Sequence, residues 1–394
     1  MLTDLQISTV KSTIPLLESV GPSLTQHFYK RMFQHNPELK DVFNMAHQAE
    51  GTQSLALFNA IAAYAKYIDN LPMLTSAVQR IAHKHTSLDI RPQHYDIVGL
   101  HLIETLRELA GEVFTAEIED AWTAAYGQLA DVFISVENGL YESNAAQDGG
   151  WQGPRKFKLV EKRIESELVK SLVFEPVDGK SVIDYQPGQY LGIRVKPITS
   201  VNLEMRQYSL SDQANGESYR ISVKREAMGV PGLVSNFLHD GLRLGDEVEL
   251  FAPAGDFVFK NKNKPVVAIS AGVGLTPMQA ILETLAEARS DIAVHYLHAC
   301  ENHEQHSFKK RIKQLATKLD LTHHTWYNQD HDAEANIHHG LMDLSTITTL
   351  PLEEGEFYLC GPVGFMQFAK QQLLNLGVDA DRIHYEVFGP HQDF

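Results

Sequence analysis

The periodicity of apolar residues changes twice along this chain, and that succession limits the fold more than any single motif. Up to about Tyr141 the pattern is helical, with stripes Phe58, Ile61, Ala65, Ile68 and Trp122, Tyr126, Leu129, Phe133, Val136 recurring at spacings of three and four. No alternating β-branched run interrupts them. Pro15, Pro22, Pro37, Pro72 and Pro92 punctuate the stretch, and Pro22 and Pro92 suit the first turns of new helices. A multi-helix bundle is predicted. Ser143 to Gly150 then supplies small, polar and Gly residues without periodicity, so 142–150 reads as a linker.

After Trp151 come short β-rich runs, Leu168 to Phe174, Tyr190 to Val195 and Tyr219 to Val223, separated by turn residues, as in an antiparallel barrel. From Pro265 the texture alternates: strand Val266 to Ile269, helix Pro277 to about Ala288, strand Ile292 to Leu297, helix Phe308 to Leu319, strand Phe357 to Leu359, helix Phe365 to Leu376. Such alternation predicts a doubly wound α/β parallel sheet. The expected multidomain division is an all-α domain over 1–141, the linker, a β-barrel domain over 151–258 and an α/β domain over 259–394.

At 394 residues the chain has the length of two or three domains at roughly 100 to 200 residues each, and three textures favour three. No apolar run approaches the roughly 18 to 20 residues that cross a bilayer, and the polar start has no secretory segment. The net charge of −16 repels phosphate backbones, which argues against a nucleic-acid partner. Cys300 and Cys360 form no metal-type pair or disulfide framework, in keeping with a reducing cytoplasm.

Gly272-Val273-Gly274 follows an apolar strand and precedes a helix, a context in which glycines let backbone approach a pyrophosphate. The third glycine of the full dinucleotide fingerprint is replaced by Pro277; a lone Gly-x-Gly turn is as often structural, but strand-Gly-x-Gly-x-Thr-Pro-helix is more specific. Cys360-Gly361-Pro362 also ends a strand, at the carboxyl edge where open α/β sheets bind ligands, and reads equally as a core cysteine before a tight turn. In Arg206-Gln207-Tyr208-Ser209 a guanidinium and a phenol could meet a phosphate and a flavin ring, but alone the tetrapeptide is an ordinary exposed strand.

It does not stand alone. Pro187-Gly188-Gln189-Tyr190, Arg206 to Ser209, Gly232-Leu233-Val234-Ser235-Asn236, Gly272 to Pro277 and Val387-Phe388-Gly389-Pro390 follow one another in an order that resembles the ferredoxin-reductase family. The resemblance implies FAD held by Tyr190, Arg206, Gln207, Tyr208, Ser209, Gly232, Ser235, Asn236, Val387, Phe388, Gly389 and Pro390. It likewise implies NADH or NADPH at Ala271, Gly272, Val273, Gly274, Leu275, Thr276, Cys360, Gly361 and Pro362, without deciding between the two.

The helical domain resembles a globin through Tyr29, the segment Asn36 to Phe43, Gln53, Leu57, Lys84-His85, Tyr95 and Glu137, and the whole chain resembles the bacterial flavohaemoglobins. His85 competes with His27, His35, His47, His83, His94 and His101; its place at the end of a helix before Pro92 is that of a proximal haem ligand. Glu137 lies on an apolar stripe, where a carboxylate is costly unless paired. It either reaches water at the stripe's margin or, with Tyr95, bonds the second ring nitrogen of His85. Without the resemblance Tyr29 and Phe43 read as core aromatics. With it, Tyr29 and Gln53 face an oxygen ligand, Phe43 and Leu57 line a haem b pocket, and Lys84 tunes it.

The implied activity is that of a nitric oxide dioxygenase: NAD(P)H reduces FAD, FAD reduces haem, and nitric oxide and oxygen become nitrate. The alternatives are an oxygen or nitric oxide sensor or carrier with its own reductase, a hydroperoxide or oxygen reductase, and a plain flavin reductase. The partners expected are small molecules only, and the state a cytoplasmic monomer.

Overall fold

The computed structural model describes residues 2–45, 51–227, 229–329 and 334–389. They form two compact units, one of Met1–Gln147, Trp151–Pro154 and Arg194–Arg206, the other of Asp148–Gly150, Arg155–Ile193 and Gln207–Phe394.

Among the described residues seven α-helices build the first unit: α1 Asp4–Ser12, α2 Ile14–Val20, α3 Ser23–His35, α4 Thr52–Tyr67, α5 Thr75–Ser87, α6 Pro92–Ala110 and α7 Ala116–Ala146. Their starts follow the local chemistry. Thr3 and Gln6 form a capping box on α1, Thr115 caps α7, and Pro92 is the first residue of α6, while Pro22 stands just before α3. Val10, Leu24, Phe28, Met32, Ala65, Trp122 and Ala125 are buried at the centre. The Trp122 indole donates to Thr13 Oγ1 over 3.1 Å, so the one polar atom of that ring is satisfied.

Ser143 to Ala146, read as linker from the sequence, are instead the last turn of α7. Nothing in that stretch breaks a helix: the first glycine after Gly139 is Gly149, and Gln147 is where the backbone becomes extended.

The first sheet has six strands, β1 Arg155–Ile164, β2 Val169–Pro176, β3 Tyr190–Val195, β4 Glu204–Ser209, β5 Tyr219–Lys224 and β6 Glu247–Leu250, in the order β4-β3-β6-β1-β2-β5. Past the end of β4, Leu210 bridges Ile221 of β5, and Ser211 N–H donates to Arg220 O over 3.0 Å. That seam joins the two edge strands, and the sheet closes into the expected barrel around Phe157, Leu159, Leu172, Phe174, Ile221 and Leu250. A four-residue helix, α8 Leu233–Asn236, precedes β6.

The second sheet is parallel: β7 Val266–Ala271, β8 Val294–Cys300, β9 Leu321–Tyr327, β10 Ile337–His339, β11 Glu356–Cys360 and β12 Ile383–Glu386, in the order β10-β9-β8-β7-β11-β12. Alternate residues of β7 feed two cores. Val266 and Ala268 pack with α9 Leu275–Glu287 and α10 Lys309–Leu315, whereas Val267 and Ile269 pack with α11 Val363–Asn375. The sheet is therefore doubly wound, as its alternating sequence predicts, and its strand order reverses at β7. α10 is shorter than expected. It ends at Leu315, four residues early, and starts one residue late because Phe308 has φ of 60°, a left-handed conformation that a helix cannot include.

Candidate functional site

His85 sits in the last turn of α5, where its carbonyl accepts N–H groups from Leu88 (3.0 Å) and Ile90 (3.1 Å) and so fixes the helix end. Its Nδ1 lies 2.7 Å from Glu137 Oε1 and 2.9 Å from the Tyr95 hydroxyl, and Tyr95 donates to the same carboxylate oxygen over 2.5 Å. Of the two readings of Glu137, the structure has the paired one: it is 2% exposed, with His85 and Tyr95 as partners. A carboxylate accepting from Nδ1–H leaves the lone pair on Nε2, the tautomer that ligates a metal. The His85 side chain keeps 30% exposure, so its ring is not sealed off by this contact.

The partners are held from behind. Tyr126, Phe133, Glu137 and Tyr141 share one stripe of α7. The Tyr126 hydroxyl donates to Tyr95 O (2.6 Å), the Tyr141 hydroxyl to Ile90 O (2.9 Å), and the Phe133 ring centroid is 5.7 Å from that of His85. Burial, then the Glu137 charge, then the hydrogen bond to it push the Tyr95 phenol far above its usual range, so it remains a donor. Gly99 is required because a Cβ there would lie 2.5 Å from the Tyr126 ring. Sequence reasoning missed Tyr141 and Gly99; the periodicity that marks Glu137 also marks Tyr141, but nothing local marks Gly99.

Tyr29 is buried in an aromatic group with Phe28 (5.0 Å between centroids), Phe43 (5.8 Å) and Phe33 (5.9 Å). One turn earlier Thr25 Oγ1 donates to Ser54 O over 2.6 Å, tying α3 to α4 beside Gln53. Gln53 and Leu57 are half-buried one turn apart on α4, and Lys84 is half-buried beside His85.

On the barrel, Arg206, Gln207 and Tyr208 are half-buried and Ser209 is buried on β4. Arg206 Nη1 donates to Met205 O (2.7 Å) and lies 3.2 Å from the Glu204 carboxylate. Leu210 N–H donates to Gln189 O (3.0 Å), which sets the turn Pro187 to Tyr190 beside the end of β4. In that turn a Cβ on Gly188, φ 106°, would come 2.2 Å from Phe257 O. At α8, Asn236 Nδ2 donates to Gly232 O (2.8 Å) and Glu226 O (2.9 Å), and Ser235 Oγ accepts from Glu226 N–H (3.3 Å). Both side chains brace the loop. Val387 packs in the core on the α11 face of the parallel sheet, Phe388 is exposed, Gly389 has φ of 124°, and Pro390 lies outside the described residues.

Neighbouring parallel strands β7 and β11 bring the two remaining motifs together. A Cβ on Gly274 would lie 2.2 Å from Cys360 O and 2.6 Å from Gly361 N, and one on Gly361 would lie 3.1 Å from Ala271 N. The glycines thus let the two loops pack directly at the carboxyl edge, where the strand order reverses. Gly272 is exposed, Thr276 is buried with its hydroxyl donating to Val273 O (3.0 Å), and Leu275 opens α9. Cys360 is fully buried, and burial raises its thiol well above the usual range, so it packs rather than reacts.

The residues present fit the groups that the sequence implies. An imidazole with one nitrogen committed to a buried carboxylate would suit an iron ligand; a guanidinium, a phenol and a hydroxyl along one barrel strand would suit phosphate and a flat ring. Family models agree segment by segment: Globin matches residues 26–133, Oxidoreductase FAD-binding domain 156–259 and Oxidoreductase NAD-binding domain 268–371. The chain is 58% identical over 393 residues to a flavohaemoprotein of Vibrio cholerae, covering 99% of each. It is similar to the flavohaemoglobin of Malassezia yamatoensis solved with FAD and haem, with a TM-score of 0.87 at 29% identity, covering 98% of this chain and 100% of that one. A FAD/NAD-binding domain of nitric oxide dioxygenase from Vibrio cholerae matches with a TM-score of 0.57 at 52% identity, over 60% of this chain and 99% of that one. Among the described residues no helix is long and apolar enough to cross a membrane.

Proposed function

Because this chain belongs to the flavohaemoprotein family, we propose that it is a nitric oxide dioxygenase, an oxidoreductase that converts nitric oxide and oxygen to nitrate at the expense of NADH or NADPH. The observation that carries the reading is the triad of His85, Tyr95 and Glu137. The bound haem supplies iron for the reaction of oxygen with nitric oxide, and FAD converts hydride equivalents into single electrons.

His85 would hold the haem iron through Nε2. Glu137 holds its Nδ1 proton and orients the ring, making the imidazole a stronger donor and favouring oxygen chemistry over reversible carriage. Tyr29 and Gln53 would bind and orient the oxygen substrate, and Phe43, Leu57 and Lys84 would line the haem site. Arg206, Gln207, Tyr208 and Ser209, with Tyr190 and the Gly232 to Asn236 loop, would hold FAD, together with Val387, Phe388 and Gly389. Ala271 to Thr276 and Cys360 to Pro362 hold the nicotinamide nucleotide. The domains are 1–141, 151–258 and 259–394, with the last turn of α7 entering the linker. The protein works as a cytoplasmic monomer without nucleic-acid partners, in keeping with its −16 charge.

The test is steady-state consumption of nitric oxide by the purified protein under oxygen with NADH, with nitrate measured. Catalytic turnover with matching nitrate is expected. Trapping of one equivalent without turnover overturns the reading.

A further inference from the structure

The barrel seam carries a buried charge that the catalytic roles above leave unused. Arg220, on β5 and 7% exposed, faces out of the barrel toward α9. Its Nη1 lies 3.1 Å from Asp212 and its Nη2 3.7 Å from Glu283 Oε1. Its guanidinium also donates to Ser211 O, and it stands 5.5 Å from the Phe308 ring centroid. Glu283 is 2% exposed; it accepts two hydrogen bonds from Arg311 (2.8 and 2.7 Å) and one from Gln279 (2.8 Å).

The position of this network gives it meaning. Ser211 and Asp212 directly follow the Arg206 to Leu210 strand, so Arg220 reads the register of the strand assigned to FAD. Glu283 lies two turns past Thr276 on the same helix, so it reads the register of the turn assigned to the nucleotide. A buried ionic network has few satisfied geometries, because any slip leaves a charge unpaired at low dielectric. Hydride transfer is correspondingly demanding of distance.

We propose that Arg220, acting with Glu283 and Arg311, is a positioning residue for hydride transfer, locking the flavin-bearing strand and the nucleotide-bearing helix in one register. The proposal rests on the assignment of FAD to β4 and of the nicotinamide nucleotide to the Gly272 turn. A neutral contact elsewhere on the same unit, Ser307 Oγ donating to Ser166 Oγ over 2.9 Å, provides the comparison.

The test uses the full-length holoprotein and anaerobic stopped-flow reduction of FAD by saturating NADH, with NADH deuterated at the transferred position as the second substrate. In the double variant Arg220→Met, Glu283→Gln the buried charges are removed together, which avoids stranding one of them. A fall of about tenfold or more in the reduction rate, an altered isotope effect and NADH affinity within about twofold are expected, since small misplacements of reacting atoms are costly. Without FAD or nucleotide, amide exchange over 219–224 and 275–283 should rise, Arg220→Lys should recover part of the rate, and Ser166→Ala should leave it unchanged. Should the double variant not fold, Arg311→Gln at the half-exposed edge of the network takes its place, with a fall of about threefold or more expected. A rate within about twofold of the parent and an unchanged isotope effect overturn the proposal even where the melting temperature drops. Failure of the parent protein to be reduced by NADH defeats the cofactor assignment instead.

Discussion

Glu137 Oε1 lies 2.7 Å from His85 Nδ1, although 52 residues separate them in the chain. The carboxylate is 2% exposed and shares the same oxygen with Tyr95, so its desolvation is offset by two donors. The imidazole is therefore held in one tautomer and one orientation.

Glu137→Gln keeps the shape and removes the charge. Loss of one charge-assisted bond costs about 1.5–3 kcal/mol of stability, and if His85 ligates iron, weakening its partner costs about 10–100-fold in turnover. Resonance Raman of the ferrous protein should show the iron–imidazole stretch at lower frequency. An identical band would leave Glu137 a packing residue.

Tyr29→Phe should leave the fold intact, because the new ring still meets Phe28, Phe33 and Phe43. If the hydroxyl donates to the oxygen ligand, losing a bond of about 1 kcal/mol speeds oxygen dissociation about fivefold. Flash photolysis measures it, and an unchanged rate removes Tyr29 from the distal site.

Much of this was legible in the sequence, for identifiable reasons. Glu137 could be singled out because it interrupts an apolar stripe, and a stripe is local information. The three textures likewise reported on the bundle, the barrel and the parallel sheet. What stayed hidden depended on contacts between distant segments. Glu283 looks like any solvent-facing helix glutamate until Arg220 and Arg311 are seen to enclose it. Gly99 looks incidental until Tyr126 occupies the space above it. The last turn of α7 is not legible because its small, polar residues resemble a linker, although none of them opposes a helix.

Gly274 and Gly272 should respond differently to alanine. At Gly274 a methyl group would collide with the Cys360 carbonyl at 2.2 Å, and overpacking of this kind costs about 1–3 kcal/mol while pushing apart the two loops proposed to hold the nucleotide. At Gly272 nothing lies within 4 Å of the new Cβ, and only the left-handed φ of 53° is strained, at about 1–2 kcal/mol. NADH titration should thus show a much larger loss of affinity for Gly274→Ala, about tenfold or more. Equal affinities would mean that the nucleotide does not use this loop contact.

Asp240 supplies a pH-dependent prediction. Arg225 donates to both of its carboxylate oxygens at 2.6 Å and also reaches Asn236 Oδ1 at 3.1 Å, so the pair steadies the loop assigned to FAD. The hydrogen bonds from Arg225 hold the Asp240 carboxyl down at about 2, below its ordinary 3.8. A depressed carboxyl contributes stability that is complete above 3.8 and is lost as pH falls toward about 2, because the unfolded chain takes up the proton first. Asp240 is exposed, so the contribution is small and screened by salt. The melting-temperature gap between the parent and Asp240→Asn should be constant near neutral pH, narrow below 3.8 and shrink in 1 M salt, roughly 3 Å being the screening length there. A gap that survives acid and salt alike would show that the asparagine acts through packing, not through the lost charge.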